Sequence, residues 1–179
     1  MANLWHDIPP GPKAPGVVYV IVEIPKRSRN KFEYDTQGGF IKLNRVLYSS
    51  LHYPGDYGFI PRTLYDDGDP LDVLVMTNEP TFPGCVIEAR PLGIFRMRDK
   101  GLADDKVLAV PATDPLFDGN QELEDIPPHF LHEVAHFFSV YKDLQHIRVE
   151  TLEWEGREVA MNEIERSISL YAKHLRTCR

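Results

Sequence analysis

A chain of 179 residues that is 42% apolar and 26% charged has the composition of an ordinary globular protein. Its formal net charge of -7 argues against unspecific binding to nucleic acid or to an anionic membrane, because the long-range field repels polyanions. The length suits one domain that spans residues 1–179, and no composition shift or repeat marks a boundary within it.

Neither the N-terminal residues nor the two cysteines suggest export or a disulfide framework. Met1–Pro15 has no basic segment followed by an apolar stretch, and the longest apolar run, Val17–Val22, is too short to cross a bilayer. Cys85 and Cys178 have neither CxxC spacing nor a nearby His, so we expect both thiols to be reduced. A cytoplasmic protein is the resulting expectation.

The chain from Val17 to about Val110 has the pattern of short strands, in which β-branched or aromatic runs are cut by Gly, Pro, Asn and Asp. Such runs favour a closed or strongly curled sheet. Strands are predicted at Val17–Ile24, Lys31–Asp35, Phe40–Val46, Leu71–Met76, Val86–Phe95 and Val107–Val110.

Two helical patterns follow the strands. The first runs from about Pro128 to Leu144, and the second has an apolar stripe from Met161 to Leu175. Strands first and helices afterwards predict an α+β fold and not alternating βαβ units.

The segment Asp66-Asp67-Gly68-Asp69-Pro70-Leu71-Asp72 places four carboxylates within seven residues. Carboxylates this close raise one another's pKa unless a cation lies among them, and hard oxygen ligands suit Mg²⁺, Mn²⁺ or Ca²⁺. Asp72 would lie within a strand on the face opposite Val73, where a charge needs a partner. An EF-hand does not fit, because Asp72 takes the position that requires Gly. A solvated acidic turn is the plain alternative.

Other charged residues could converge on this segment. Asp99, Asp104 and Asp105 lie in a loop between two predicted strands. In the strand Lys31–Asp35, period-two alternation places a lysine and Glu33 on one face. Glu23 follows an apolar run, which is an unusual place for an unpaired charge. Either a salt bridge or a metal-bound water would explain Glu23, and the residue type leaves both open.

A series of motifs between Val18 and about Leu144 carries the strongest functional signal. The most specific is Asp67-Gly68-Asp69-Pro70 with Asp72 two residues on. The others are Glu23-Ile24-Pro25, Lys31-Phe32-Glu33, Arg45, Tyr53–Pro61, Asp99 with Asp104 and Lys106, His136-Phe137-Phe138 and Tyr141–Leu144. In residue types and in order, these motifs resemble those of the soluble family I inorganic pyrophosphatases.

The resemblance implies a fold, an activity and cofactors. The fold would be an OB-like five-stranded β-barrel core with additional strands and two α-helices in the C-terminal half. The activity would be hydrolysis of pyrophosphate (PPi) to two orthophosphates by water that divalent cations activate, with an Asp general base. Several Mg²⁺ ions would serve, with Mn²⁺ or Zn²⁺ as substitutes, and a homohexamer is implied because bacterial relatives commonly form one.

The resemblance also implies residue roles. Asp69 resembles the general base, with Tyr57 beside it and Tyr53 at the edge of the site. The residues that match metal-binding positions are Asp67, Asp72, Asp99, Asp104 and Glu33, with Glu23 acting through water. Those that match phosphate-binding positions are Lys31, Arg45, Tyr57, Lys106, Tyr141 and Lys142. Two departures stand out, because Asn44 replaces an Asp of many relatives and Val140 replaces a second helix histidine of some bacterial members.

Two other functions deserve comparison with this one. His132-Glu133-Val134-Ala135-His136 is a literal HExxH pattern of zinc peptidases on a predicted helix, with Glu155 or Glu158 as a conceivable third ligand. The glycine and third histidine that the metzincin pattern requires after HExxH are absent. The second alternative is an OB-type nucleic-acid module that uses Lys26, Arg27, Arg29, Lys31 and exposed aromatics, which the acidic net charge opposes.

Overall fold

The computed structural model describes residues 3–177, and this part of the chain contains nine strands and two α-helices. The strands are β1 (Val18–Ile24), β2 (Asn30–Asp35), β3 (Phe40–Val46), β4 (Asp56–Phe59), β5 (Asp72–Val75), β6 (Val86–Asp99), β7 (Leu102–Ala103), β8 (Lys106–Pro111) and β9 (Val149–Gly156). The helices are α1 (Pro128–Val140) and α2 (Arg157–Thr177).

Five strands close into a ring, in which β1 pairs with β4, β4 with β5, β5 with β8, β8 with β6, and β6 with β1. Among these pairings β5–β8 is parallel and the other four are antiparallel. β7 and β9 both pair with β6, and β2 and β3 form a separate hairpin. This ring with its added strands and two helices confirms the predicted OB-like α+β fold.

The alternation of side chains along the strands divides the core into two main clusters. Val73 and Val75 of β5 pack with Ile164 of α2, whereas Leu74 packs with Phe138 of α1. Because residues at even spacing share a face of a strand, Asp72 lies on the face of Leu74, towards α1. The predicted placement of Asp72 opposite Val73 is therefore confirmed.

Several predicted boundaries were wrong. β6 continues to Asp99, so this residue ends a strand and does not lie in a loop. β5 begins at Asp72 and not at Leu71. The first helix ends at Val140, since the chain turns away through a short 3₁₀ helix before His146 at a positive φ of 57°. Strands β4, β7 and β9 were not predicted.

The structure bears on two further expectations. Neither helix within residues 3–177 is long and apolar enough to cross a membrane. Cys85 is a free, half-buried cysteine, whereas Cys178 lies outside the described residues.

Candidate active site

A cavity of about 420 Å³ is lined by the ends of β1, β5, β6 and β8, by the β2–β3 hairpin and by the end of α1. All the residues to which the family resemblance gave a role in the site line this cavity together. They are Glu23, Lys31, Glu33, Arg45, Tyr53, Tyr57, Asp67, Asp69, Asp72, Asp99, Asp104, Lys106, Tyr141 and Lys142. With Lys100, the charged part of the lining comprises seven carboxylates and five cationic side chains.

The acidic loop before β5 presents Asp67 and Asp69 to the cavity. Gly68 between them has a φ of +92°, which glycine adopts without strain. The Asp69 amide donates to Asp67 Oδ1 at 3.0 Å and closes the turn. Desolvation, together with the neighbouring Asp72, raises the pKa of both carboxyl groups. Two acids that resist joint ionisation are thus held side by side.

The parallel pairing of β5 with β8 joins the acidic loop to a second acidic segment. Asp72 and Lys106 are direct partners in the register. The buried Lys106 ammonium lies 2.6 Å from Asp72 Oδ2 and also contacts Asp104. Burial alone would lower the pKa of Lys106, but the two carboxylates raise it above its ordinary value. Burial raises the pKa of Asp104, and Asp72 adds to that rise.

Aromatic side chains form the apolar wall of the cavity. Tyr57 Oη donates to Asp72 Oδ2 at 2.6 Å, and its ring packs against Tyr53 and Phe138. Burial, followed by the neighbouring Asp72, raises the pKa of Tyr57 well above its usual value. Tyr57 therefore keeps its proton and can donate it in a hydrogen bond.

The β2–β3 hairpin supplies a carboxylate and two cations. Lys31 and Arg45 are register partners, and the Lys31 ammonium contacts Glu33. Although burial opposes it, hydrogen bonding by Lys31 and Asn44 lowers the pKa of Glu33. Asn44 donates to Glu33 Oε2 at 2.7 Å and accepts from Arg45 Nη1 at 2.9 Å. Within residues 3–177, the buried Nε and Nη2 atoms of Arg45 have no hydrogen-bond partner.

Glu23 is buried at the end of β1 and accepts a hydrogen bond from the Tyr34 amide at 2.6 Å. Burial, together with the charge of Asp72, raises the pKa of Glu23 to about 8. No lysine or arginine of the described residues forms a salt bridge with it. Of the two explanations that the sequence left open, the salt bridge is wrong.

Asp99 and Lys142, which also line the cavity, form a pair at 2.5 Å between Oδ2 and Nζ. The other oxygen of Asp99 is buried and has no hydrogen-bond partner among the described residues. Such an oxygen can accept a bond from a ligand, and an unpaired buried acceptor otherwise costs free energy.

The donor set suits a hard divalent cation, since the acidic lining offers oxygen ligands only. The described residues contain no group of three or more His, Cys, Asp or Glu side chains already arranged to hold an ion. Instead, ammonium groups lie against the carboxylates, as Lys106 does between Asp72 and Asp104. The chemistry therefore fits Mg²⁺, provided that these lysines move away when a cation binds.

Within residues 3–177, no metal-binding group of side chains is formed at the HExxH pattern of α1. His132, Glu133 and His136 are exposed to solvent. Glu155, the conceivable third ligand, contacts Arg96 instead. The predicted helix at this pattern is confirmed, but the arrangement offers no support for a zinc peptidase.

Two aspartates of the predicted acidic groups do not line the cavity. Asp66 pairs with Arg166, and Asp105 turns away from Asp104 to contact Tyr65 and Arg96. Sequence reasoning gave Tyr65 and Arg96 no role. The available signal was alternation, because consecutive extended residues point in opposite directions.

A ring of five strands with a cavity of carboxylates, cations and tyrosines at its edge is suited to a small, highly charged anion that binds together with metal ions. The sequence profile of the inorganic pyrophosphatase family matches residues 20–172. The inorganic pyrophosphatase of Haloferax volcanii is 51% identical over 175 residues, covering 97% of this chain and 99% of that protein. The chain therefore belongs to the inorganic pyrophosphatase family.

Solved structures agree with this assignment. The inorganic pyrophosphatase of Thermus thermophilus is 44% identical with a TM-score of 0.92, and the match covers 96% of this chain and 99% of that one. The N-terminally truncated vacuolar soluble pyrophosphatase of Trypanosoma cruzi, solved in complex with PPi, is 26% identical with a TM-score of 0.89. That match covers 96% of this chain and 79% of that one.

Proposed function

We propose that this chain hydrolyses PPi to two orthophosphates in the cavity described above, with Mg²⁺ as its cofactor. Family membership gives the reaction class, and one observation connects that class to this cavity. Among the described residues, the buried Nε and Nη2 atoms of Arg45 have no hydrogen-bond partner, and Arg45 lines the same cavity as seven carboxylates. A site in which the carboxylates bind cations and Arg45 binds an anion explains both features.

We assign the acidic side chains to the cations. Asp67, Asp72 and Asp104 would hold the most tightly bound ions, with Asp99 and Glu33 helping to hold further ions. Glu23 would act through water. When bound, divalent cations neutralise PPi and lower the pKa of water. Mn²⁺ and Zn²⁺ are substitutes with compatible chemistry.

We assign the cationic and phenolic side chains to the phosphate oxygens. Lys31, Arg45 and Lys106 would bind and orient PPi, and Tyr57 would donate its retained proton in a hydrogen bond. Tyr141 and Lys142 would act in the same way on the α1 side of the cavity. Together they stabilise the charge that develops as the bridging P–O bond breaks, so their work is positioning and electrostatics.

Asp69 is the proposed general base. Its carboxylate would take a proton as a water oxygen forms a bond to one phosphorus atom and the other phosphate leaves. The raised pKa of Asp69, which follows from desolvation and from Asp72 and Glu33, makes it a better proton acceptor than an ordinary aspartate. No covalent intermediate is needed.

A phosphate-release assay on PPi, with and without millimolar Mg²⁺, tests the function. We expect release that requires Mg²⁺, and Asp69→Asn should lower kcat by about 10² to 10⁴, the usual range for a lost general base. The matched control is Asp118→Asn, an exposed aspartate outside the cavity, which should retain wild-type activity. A near-normal kcat for Asp69→Asn would refute the assigned role, and absence of release by wild type would refute the function.

The finer properties are part of the same proposal. We propose that residues 1–179 form one catalytic domain that works in the cytoplasm without nucleic-acid or membrane partners, as a homohexamer. Large apolar side chains at the surface, such as Tyr48 at 61% and Phe82 at 65% exposure, are consistent with subunit contacts. Light scattering would test the subunit number.

A further inference from the structure

Beside the acidic loop, six residues form a closed circuit of polar contacts. They come from the loop itself, from β6, from the residue preceding β8 and from α2. None of the six is among the described residues that line the cavity. In order around the circuit they are Tyr65, Asp66, Arg166, Glu163, Arg96 and Asp105, and the peptide bond between Tyr65 and Asp66 closes it.

Asp105 fixes one side of this circuit to β6. Its side chain is only 5% exposed. Oδ2 accepts from Tyr65 Oη at 2.5 Å and from Arg96 Nη1 at 2.7 Å, while Oδ1 accepts from the Met97 amide at 2.9 Å. The Asp104 amide in turn donates to the Met97 carbonyl at 3.0 Å. Asp105 does not line the cavity, so these bonds can affect the site only through the position of the neighbouring Asp104.

Tyr65 fixes the other side of the circuit to the acidic loop. Its amide donates to the Asp69 carbonyl at 2.7 Å, and its carbonyl accepts from the Gly68 amide at 3.1 Å. Both bonds close the turn that presents Asp67 and Asp69. The Arg166 guanidinium lies 5.2 Å from the centre of the Tyr65 ring and binds both carboxylate oxygens of the neighbouring Asp66.

The circuit matters because Asp67 and Asp104 lie in different segments of the chain and repel each other. Two like charges separate unless the backbone that carries them is fixed. The Tyr65–Asp105 hydrogen bond is a direct, buried link between these two segments. We propose that Tyr65 and Asp105 are positioning residues, which fix the separation of Asp67 and Asp104 and thereby set the affinity of the site for a divalent cation. This inference rests on the proposed metal-dependent function.

A positioning role has a kinetic signature that differs from that of a residue in the cavity. Without the link, the two segments separate in the metal-free protein, and the first cation must supply the free energy that reorders them. Loss of one buried hydrogen bond should then raise the Mg²⁺ concentration at half-saturation by about three- to ten-fold. Once Mg²⁺ saturates the site, the geometry is restored, and kcat should remain within about two-fold of wild type.

The test uses Tyr65→Phe and Asp105→Asn, with Tyr171→Phe as the matched control. Tyr171 is also buried, its hydroxyl lies 2.6 Å from His6 Nδ1, and neither residue lines the cavity. Calorimetric titration with Mg²⁺ in the absence of PPi measures binding directly. The Mg²⁺ dependence of phosphate release and the melting temperature are measured on the same preparations.

We expect both single variants to bind Mg²⁺ more weakly than wild type. Because both substitutions remove the same contact, the double variant should lose no more Mg²⁺ affinity than the weaker-binding single variant. Tyr171→Phe should lower the melting temperature without weakening Mg²⁺ binding. Equal Mg²⁺ affinity in Tyr65→Phe and Tyr171→Phe would overturn the inference, even if Asp105→Asn fails to fold. Wild-type protein that neither binds Mg²⁺ nor releases phosphate would instead contradict the proposed function, so the two failures are distinguishable.

Discussion

Replacing Glu23 with glutamine should stabilise the metal-free protein, by an amount that grows with pH. Glu23 is 9% exposed, and its burial, together with the charge of Asp72, raises the pKa of its carboxyl group from 4.5 to about 8. In this interval the folded state keeps a proton that the unfolded state releases, so the free energy of unfolding falls as pH rises from about 4.5 to about 8. Glutamine has nothing to release and retains a carbonyl oxygen for the Tyr34 amide.

The size of this effect follows from the shift in pKa. At about 1.4 kcal/mol per pH unit above about pH 4.5, the free energy of unfolding of the wild type falls by roughly 2 kcal/mol at about pH 6 and by roughly 5 kcal/mol above about pH 8. The advantage of Glu23→Gln should therefore grow by about 3 kcal/mol between these conditions. For a chain of this size that corresponds to a melting-temperature difference of roughly 6 to 12 °C.

Thermal unfolding in the presence of a chelator, at matched protein concentrations and at about pH 6 and about pH 9, measures this difference. Glu165→Gln is the control, because the Glu165 side chain is exposed on α2 and should follow wild type. If Glu23→Gln and wild type differed by the same melting temperature at both values of pH, the pKa of Glu23 would not be raised in the folded protein.

Two other substitutions probe the cavity. Lys106→Gln should lower the free energy of unfolding of the metal-free protein by about 3 kcal/mol, because it leaves Asp72 and Asp104 without their cation. Added Mg²⁺ should recover part of that loss in a thermal scan, and no recovery would argue against cation binding by these carboxylates. Arg45→Lys should raise KM for PPi about ten-fold, because a point charge cannot replace the planar donors of a guanidinium; an unchanged KM in the steady-state assay would exclude contact between Arg45 and substrate.

The sequence predicts the strands that consist of β-branched runs, and it fails where a strand carries turn-forming residues. β4 was missed because Asp56-Tyr57-Gly58-Phe59 follows Pro54-Gly55 and has the composition of a turn. Gly58 is needed there for close approach of the strands, since a Cβ atom would lie 1.8 Å from the Ile21 carbonyl oxygen. β9 was missed because its exposed glutamates hide the alternation.

The candidate site is more predictable than the fold boundaries, because its acidic motifs are contiguous in the chain and specific in spacing. The arrangement of charges within it was not predictable. Lys106 reaches Asp72 through the parallel register of β5 and β8, a pairing that no local pattern specifies. The Tyr65–Asp105 contact joins residues 40 positions apart and depends on the same tertiary arrangement.

Anomalous X-ray scattering from crystals grown with Mn²⁺ and orthophosphate would test the central idea most directly, because it locates cations without reference to activity. We expect anomalous peaks inside the cavity that contact Asp67, Asp72 and Asp104. The Lys106 ammonium should have moved off these carboxylates, and phosphate should lie beside Lys31 and Arg45. Mn²⁺ bound elsewhere on the surface, with Lys106 still between Asp72 and Asp104, would contradict that idea.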